Sequence, residues 1–173
     1  MIKLEPLTGH HDRSGFDCGV AVLDSWLRQT ALQHQSKGIS RTFVAVPRDD
    51  EAAQAFQRDG YAGVGSSSIL GFYALSSAIV LVEALPSRLA KRYPRQIRVT
   101  RLGRLAARLD MQGQGLGRML LADAVDRARG AAQVVGSAGI TVDAKDDAAA
   151  GFYRRFGFHT CRDSPTVLYL PMW

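Results

Sequence analysis

Between Val20 and Gly38, Leu23, Trp26, Leu27, Thr30, Ala31 and His34 recur three and four residues apart. That spacing predicts one amphipathic helix, with Asp17 available as a cap and Gly38 as a stop. RTFVAV (41–46) predicts a strand, whereas residues 47–68 are polar and glycine-rich and read as a loop or irregular hairpin. ILGFYAL (69–75) and AIVLV (78–82) predict two strands, followed by a short basic helix, PSRLAKRY (86–93), with Pro86 in its first turn. QIRVTRLGRLA (96–106) predicts another strand, although its alternation is imperfect. Leu116, Leu120, Ala124 and Ala128, spaced by four, predict a helix over 115–130. GITVDA (139–144) predicts a strand, and DDAAAGFYRRFG (146–157) a helix that Asp146 can cap and Gly157 can end. VLYLPMW predicts a last strand. Helices interrupt strands throughout, so the expected class is mixed α/β, in a single domain spanning 1–173.

Composition adds little. A hydrophobic fraction of 46% and a charged fraction of 22% describe an ordinary globular chain. No apolar run is long enough to span a bilayer, and the N-terminus lacks the apolar core of a signal peptide, so a cytoplasmic location is expected. Cys18 and Cys161 match no zinc or redox spacing and read as free, part-buried thiols. His10, His11, His34 and His159 form no ligand pattern, and no metal is expected.

Charge changes the picture. From Arg88 to Arg118 the chain carries Arg88, Lys91, Arg92, Arg95, Arg98, Arg101, Arg104, Arg108 and Arg118 against Asp110 alone. This segment is net +8 in a chain of formal charge +6, which leaves the remainder at −2. Arginine forks suit phosphate oxygens, and so concentrated a field attracts polyanions in a salt-dependent way. A solvated basic face is the plainer reading of the same residues.

DMQGQGLGRML (110–120) sets glycines at alternate positions between a predicted strand and a predicted helix. Glycine lets backbone approach a ligand closely, and a helix N-terminus offers unpaired N–H groups and a positive dipole end, so a pyrophosphate is the natural guest. Arg118 and Met119 stand where a P-loop requires Lys and Ser/Thr, and Arg118 stands where the dinucleotide fingerprint requires its third glycine. A purely structural turn remains open on these residues alone.

The pattern Gln112-x-x-Gly115-x-Gly117 resembles the Q/R-x-x-G-x-G/A signature of the GCN5-related N-acetyltransferases (GNAT). RLAAR (104–108) is similar to the strand of that family lying along the pantetheine arm, and AAAGFYRRFGF (148–158) to its A-x-x-F/L-Y-x-x-x-G-F motif. The resemblance implies a mostly antiparallel mixed sheet flanked by helices, with a splayed strand pair holding acetyl-CoA. It assigns the cofactor to Leu105, Ala106, Ala107, Gln112, Gly113, Gln114, Gly115, Leu116, Gly117 and Arg118, and places Tyr153 near the thioester sulfur as a proton donor. Two positions depart from the pattern. Asp146 replaces an asparagine that touches cofactor in many relatives, and Thr141 replaces a glutamate base of enzymes that acetylate protein N-termini. Asp143 is expected to face the other side of the sheet, which leaves no evident general base.

An acceptor amine that is already partly free suits such a site, and an α-amine on a polyphosphate chain also suits the basic segment. Aminoacyl-tRNA has both properties. FDCGVAVLDSWL (16–27), QSKGISRTFVAV (35–46), LPSRLAKRYPRQIRVTRLGRLA (85–106) and ITVDAKDDAAAGFYRRFGF (140–158) resemble the acetyltransferase toxins of bacterial type II toxin–antitoxin modules. That resemblance implies acetylation of charged tRNA, a homodimer, and a ribbon-helix-helix antitoxin that mediates any contact with DNA. Arg88, Lys91, Arg92 and Arg95 are the residues chosen for RNA contacts, and Trp26 is expected in the core. Acetylation of a protein N-terminus or small amine is the nearest alternative, and a non-catalytic acyl-CoA-binding module is a further one.

Overall fold

The computed structural model describes residues 1–162 and 164–173. The strands are β1 Ile2–Pro6, β2 Arg41–Pro47, β3 Gly71–Leu81, β4 Gln96–Ala107, β5 Gly139–Asp143, β6 His159–Cys161 and β7 Ser164–Pro171, in the sheet order β1-β2-β3-β4-β5-β7-β6. β1–β2, β5–β7 and β6–β7 pair antiparallel, and β4–β5 pairs parallel. The helices are α1 Ala21–Gln29, α2 Ala31–Ser36, α3 Asp50–Arg58, α4 Ser87–Ala90, α5 Leu116–Val135 and α6 Asp147–Arg155. The expected mixed α/β class is therefore the one observed. None of the described helices is long and apolar enough to cross a membrane. Two compact units divide the chain: Met1–Ala74 with Arg104–Ala124, and Leu75–Gly103 with Val125–Trp173.

In the first unit, β2 is buried at six consecutive positions, as a near-continuous apolar strand requires when both of its faces are covered. Trp26 stacks on Phe72 at 6.1 Å and Phe16 meets Phe72 edge-on at 5.5 Å, within a core that also holds Leu27, Val44 and Ile69. Gly71 has a steric reason. A Cβ there would lie 2.9 Å from Leu120 Cδ1 and 3.0 Å from the Ala106 carbonyl oxygen. The single helix expected over 20–38 is two helices, because Thr30 leaves helical geometry at φ −122° and ψ −34°. A β-branched side chain loses rotamer freedom in a helix, so the break falls at an inexpensive position. Gly38, at φ +73°, does end the second piece, whereas Asp17 accepts from the Gly19 N–H ahead of the helix instead of capping it.

The loop expected over 47–68 is also corrected, since it contains α3. Asp49 caps that helix by accepting from Ala52 N–H at 2.8 Å, and Ala52, Ala53 and Phe56 are buried along one side. β1, which composition did not announce, pairs with β2 from Ile2↔Pro47 to Pro6↔Phe43.

In the second unit, Leu85, Leu89, Ile97, Val99, Cys161 and Tyr169 form the core. The two strands expected at 69–75 and 78–82 are one strand, β3, which runs through Ser76 and Ser77. Helix α5 passes Gly130 and stops before Gly136, at φ +91°. The irregular alternation of β4 has a physical basis. Its buried positions are Ile97 and Val99 toward one end but Leu102 and Ala106 toward the other, a change of parity that in a regular strand buries opposite faces. The strand β6 was not foreseen.

Candidate functional site

In the first unit, β4 ends in a turn where the Arg108 N–H donates to the Leu70 carbonyl at 2.8 Å. The Arg108 guanidinium grips the Asp110 carboxylate through two N–H groups, at 2.9 and 2.6 Å. Gly113 and Gly115 then adopt φ +78° and +88°, in the left-handed region that other residues enter only at a cost of about 1–2 kcal/mol. A Cβ at either position would meet nothing within 4 Å, so backbone conformation, not crowding, calls for glycine. The space beside both is open. Leu116, Gly117 and Arg118 open α5, where a helix provides no acceptor for its N–H groups and the dipole favours an anion. With the exposed cation of Arg118 alongside, these groups fit a pyrophosphate.

The two glutamines of the loop are held from different sides. Gln112 donates its amide N–H groups to the carbonyls of Cys18 at 2.9 Å and Ala107 at 3.1 Å, which ties the loop to the end of β4. Gln114 Oε1 accepts from the Tyr61 hydroxyl at 3.0 Å. Tyr61 belongs to the stretch read as a loop, and no sequence spacing marked it. Leu105, Ala106 and Ala107 form the last residues of β4, beyond the ladder that joins Thr100–Leu102 to Ile140–Val142. Cys18 is buried, and its burial, reinforced by the Asp24 carboxylate, pushes the thiol up to about 11, so it stays protonated.

In the second unit, Asp146 begins α6, its carboxylate accepting from the Ala149 N–H at 2.8 Å. Gly157 ends the turn at φ +109°, and Arg154 and Arg155 complement the helix dipole in the last turn. Asp146 is thus committed to capping, the position at which many family members carry asparagine. Tyr153 projects from α6 with 7% exposure, its ring 5.2 Å from Phe152 and 5.5 Å from Phe158. Burial pushes its phenol up to about 12, so it carries a proton across the neutral range.

Thr141 donates to the Leu168 carbonyl at 3.3 Å, and Asp143 accepts from the Thr166 hydroxyl at 3.5 Å. The expectation for Asp143 is corrected. β5 pairs regularly with β7, so residues two apart share a face and Asp143 stands on the side of Thr141. The two-residue spacing alone was enough to find it.

Arg88, Lys91, Arg92, Arg95, Arg98 and Arg101 are all exposed. Buried Leu89 anchors α4 beneath the first of them. Arg92 also donates to the Trp173 carbonyl at 2.6 Å. Two members of the basic cluster in the first unit are engaged otherwise: Arg108 is neutralised by Asp110, and Arg104 lies 4.0 Å over the Trp26 ring. Trp26 itself is 8% exposed and lies in the core, as expected.

Residues 79–160 match the acetyltransferase (GNAT) domain. A tRNA-acetylating toxin of Mycobacterium tuberculosis (strain ATCC 25618 / H37Rv) is 36% identical over 161 residues, covering 93% of this chain and 86% of the relative. Among solved structures, AtaT complexed with acetyl-methionyl-tRNAfMet aligns with a TM-score of 0.83 at 27% identity, over 99% of this chain and 95% of that one. A tyrosine-to-phenylalanine variant of AtaT, bound to the C-terminus of the antitoxin AtaR and acetyl-CoA, aligns with a TM-score of 0.74 at 25% identity, over 99% and 93%.

Proposed function

This chain belongs to the GNAT acetyltransferases, and we propose that it is a toxin that acetylates the α-amino group of aminoacyl-tRNA and so blocks translation. The observation that carries the choice of acceptor is the row of six exposed cations from Arg88 to Arg101, in a chain that also has an open glycine cradle at a helix N-terminus. The likeness to a tRNA-acetylating toxin and to AtaT with acetyl-methionyl-tRNAfMet supports the same acceptor.

Acetyl-CoA supplies an activated acetyl thioester. Backbone N–H groups from Gly113 to Arg118, with the Arg118 side chain, hold its pyrophosphate, and Gln112 and Gln114 keep that loop in shape. Leu105, Ala106 and Ala107 align the pantetheine arm through their backbone, and an N–H of this stretch receives the oxyanion. The amine nitrogen adds to the carbonyl carbon to give that oxyanion. The carbon–sulfur bond breaks as it collapses while Tyr153 delivers a proton to the departing sulfur, and the proton shed by the nitrogen passes to water, from which the phenol is restored. Freeing an α-amine of pKa about 7.7–8.0 at neutral pH costs about 1 kcal/mol, against about 4–5 for a lysine near 10.4. Arg88, Lys91, Arg92 and Arg95 hold the phosphates of the RNA. The partners are a ribbon-helix-helix antitoxin, through which any operator DNA is contacted, and a second copy of the chain in a homodimer. The whole chain, 1–173, acts as one acetyltransferase domain in the cytoplasm.

Asp143 favours a second reading, in which a protein N-terminus or small amine is the acceptor and this carboxylate takes its proton. Cell-free translation separates the two. Protein synthesis should stop when the chain and acetyl-CoA are added together and continue with either alone; synthesis that continues with both would rule out the toxin reading.

A further inference from the structure

The segment between β2 and β3 packs against the glycine loop within the first unit. After α3 the chain reverses at Gly60, at φ +100°, and the Tyr61 N–H donates to the Phe56 carbonyl at 3.0 Å. The Tyr61 ring stands edge-on to buried Phe56 at 5.9 Å, and its hydroxyl donates to Gln114 Oε1 at 3.0 Å. Gln114 sits between the two left-handed glycines, Gly113 and Gly115. Tyr61, Gln114 and Gly115 line, with Phe56, Met111 and Leu116, an open pocket of about 110 Å³, so close packing does not hold Gln114 there. The Tyr61–Gln114 bond ties the loop to this segment, while Gln112 is tied separately to Cys18 and Ala107.

We propose that Tyr61 is a positioning residue for coenzyme A: it fixes Gln114 and thereby holds the Gly113–Gly115 backbone in its phosphate-cradling conformation before the cofactor arrives. This rests on the glycine loop being the pyrophosphate site. Two flexible glycines flank Gln114, so a loop without its tie must be ordered on binding, which lowers affinity without altering the chemical step. A purely structural role for Tyr61 would lower stability and leave affinity alone.

The test measures the dissociation constant of free coenzyme A by calorimetry for the full chain and for Tyr61→Phe, Gln114→Ala and the double variant, with KM and kcat alongside. Tyr61→Phe keeps the ring against Phe56, so the fold is retained, and melting temperatures check this. Each single change should weaken binding about threefold to tenfold, the range of one hydrogen bond, with kcat of Tyr61→Phe at saturating acetyl-CoA unchanged. The double variant should be no weaker than the weaker single one, since both remove the same contact. An unchanged dissociation constant in Tyr61→Phe, or additive losses in the double variant, would overturn the inference while leaving the loop as the cofactor site. A parent chain that fails to bind coenzyme A would overturn both.

Discussion

Replacing Tyr153 by phenylalanine removes one oxygen atom and leaves the ring. Contacts to Phe152 at 5.2 Å and Phe158 at 5.5 Å survive, so the helix α6 keeps its apolar anchor. The phenol is 7% exposed and its pKa stands at about 12, so the hydroxyl is a desolvated, protonated donor across the working range. If it protonates the departing sulfur, its loss removes general-acid catalysis worth about 100- to 10,000-fold, or roughly 3–5 kcal/mol of transition-state stabilisation. The expected result is a fall in kcat of that size, with the dissociation constant of coenzyme A unchanged and the melting temperature equal to or above that of the parent. The assay follows thiol release from acetyl-CoA in the presence of charged tRNA, beside a thermal melt. A variant that keeps more than about a tenth of the parent kcat would refute the assignment, because one such step accounts for only about 1.4 kcal/mol. A melting temperature lowered by more than about 4 °C would instead identify Tyr153 as a packing residue, since about 1 kcal/mol shifts a domain of this size by roughly 2–4 °C.

Reversing Arg88, Lys91 and Arg95 to glutamate should lower kcat/KM for charged tRNA and flatten its salt dependence while coenzyme A binding holds; titration across salt concentrations checks it. Because the Tyr153 pKa is raised, kcat/KM should climb as the acceptor amine loses its proton and show no alkaline fall up to about pH 9, where the aminoacyl ester still survives a short pH–rate assay. The same group sets a stability window. Below pH 10 both folded and unfolded phenols are protonated, whereas between about 10 and 12 only the unfolded one ionises, so denaturant titration should show stability lost there, by up to roughly 3 kcal/mol. Asp146→Ala removes the carboxylate that accepts from Ala149 and should cost about 1 kcal/mol in an unfolding titration.

The features legible in the sequence are those whose signals are local. Asp146 and Gly157 bracket α6, the four-residue spacing from Leu116 to Ala128 marks α5, and the apolar run of β2 marks a strand. α3 was hidden because glycines at 60, 63 and 65 and the charged run 48–51 outweighed the i, i+1, i+4 spacing of Ala52, Ala53 and Phe56. Thr30 broke a helix that hydrophobic periodicity alone continues, and Ser76 and Ser77 failed to break a strand because the neighbouring strand supplies hydrogen bonds whatever their side chains prefer. At the candidate site, the loop glycines and Tyr153 could be found from motifs. The distant partners of Gln114 and Gln112 could not. Tyr61 is 53 residues from Gln114 and Cys18 is 94 from Gln112, separations that only tertiary structure closes.

The most direct measurement is transfer of labelled acetyl from acetyl-CoA to total tRNA, charged or deacylated, at low and high salt, with Tyr153→Phe in parallel. Label on charged tRNA alone, alkali-labile together with its amino acid, weakened by salt and lost in the variant, is the predicted result. Absence of label on charged tRNA, with coenzyme A still bound by the protein, would contradict the proposed acceptor.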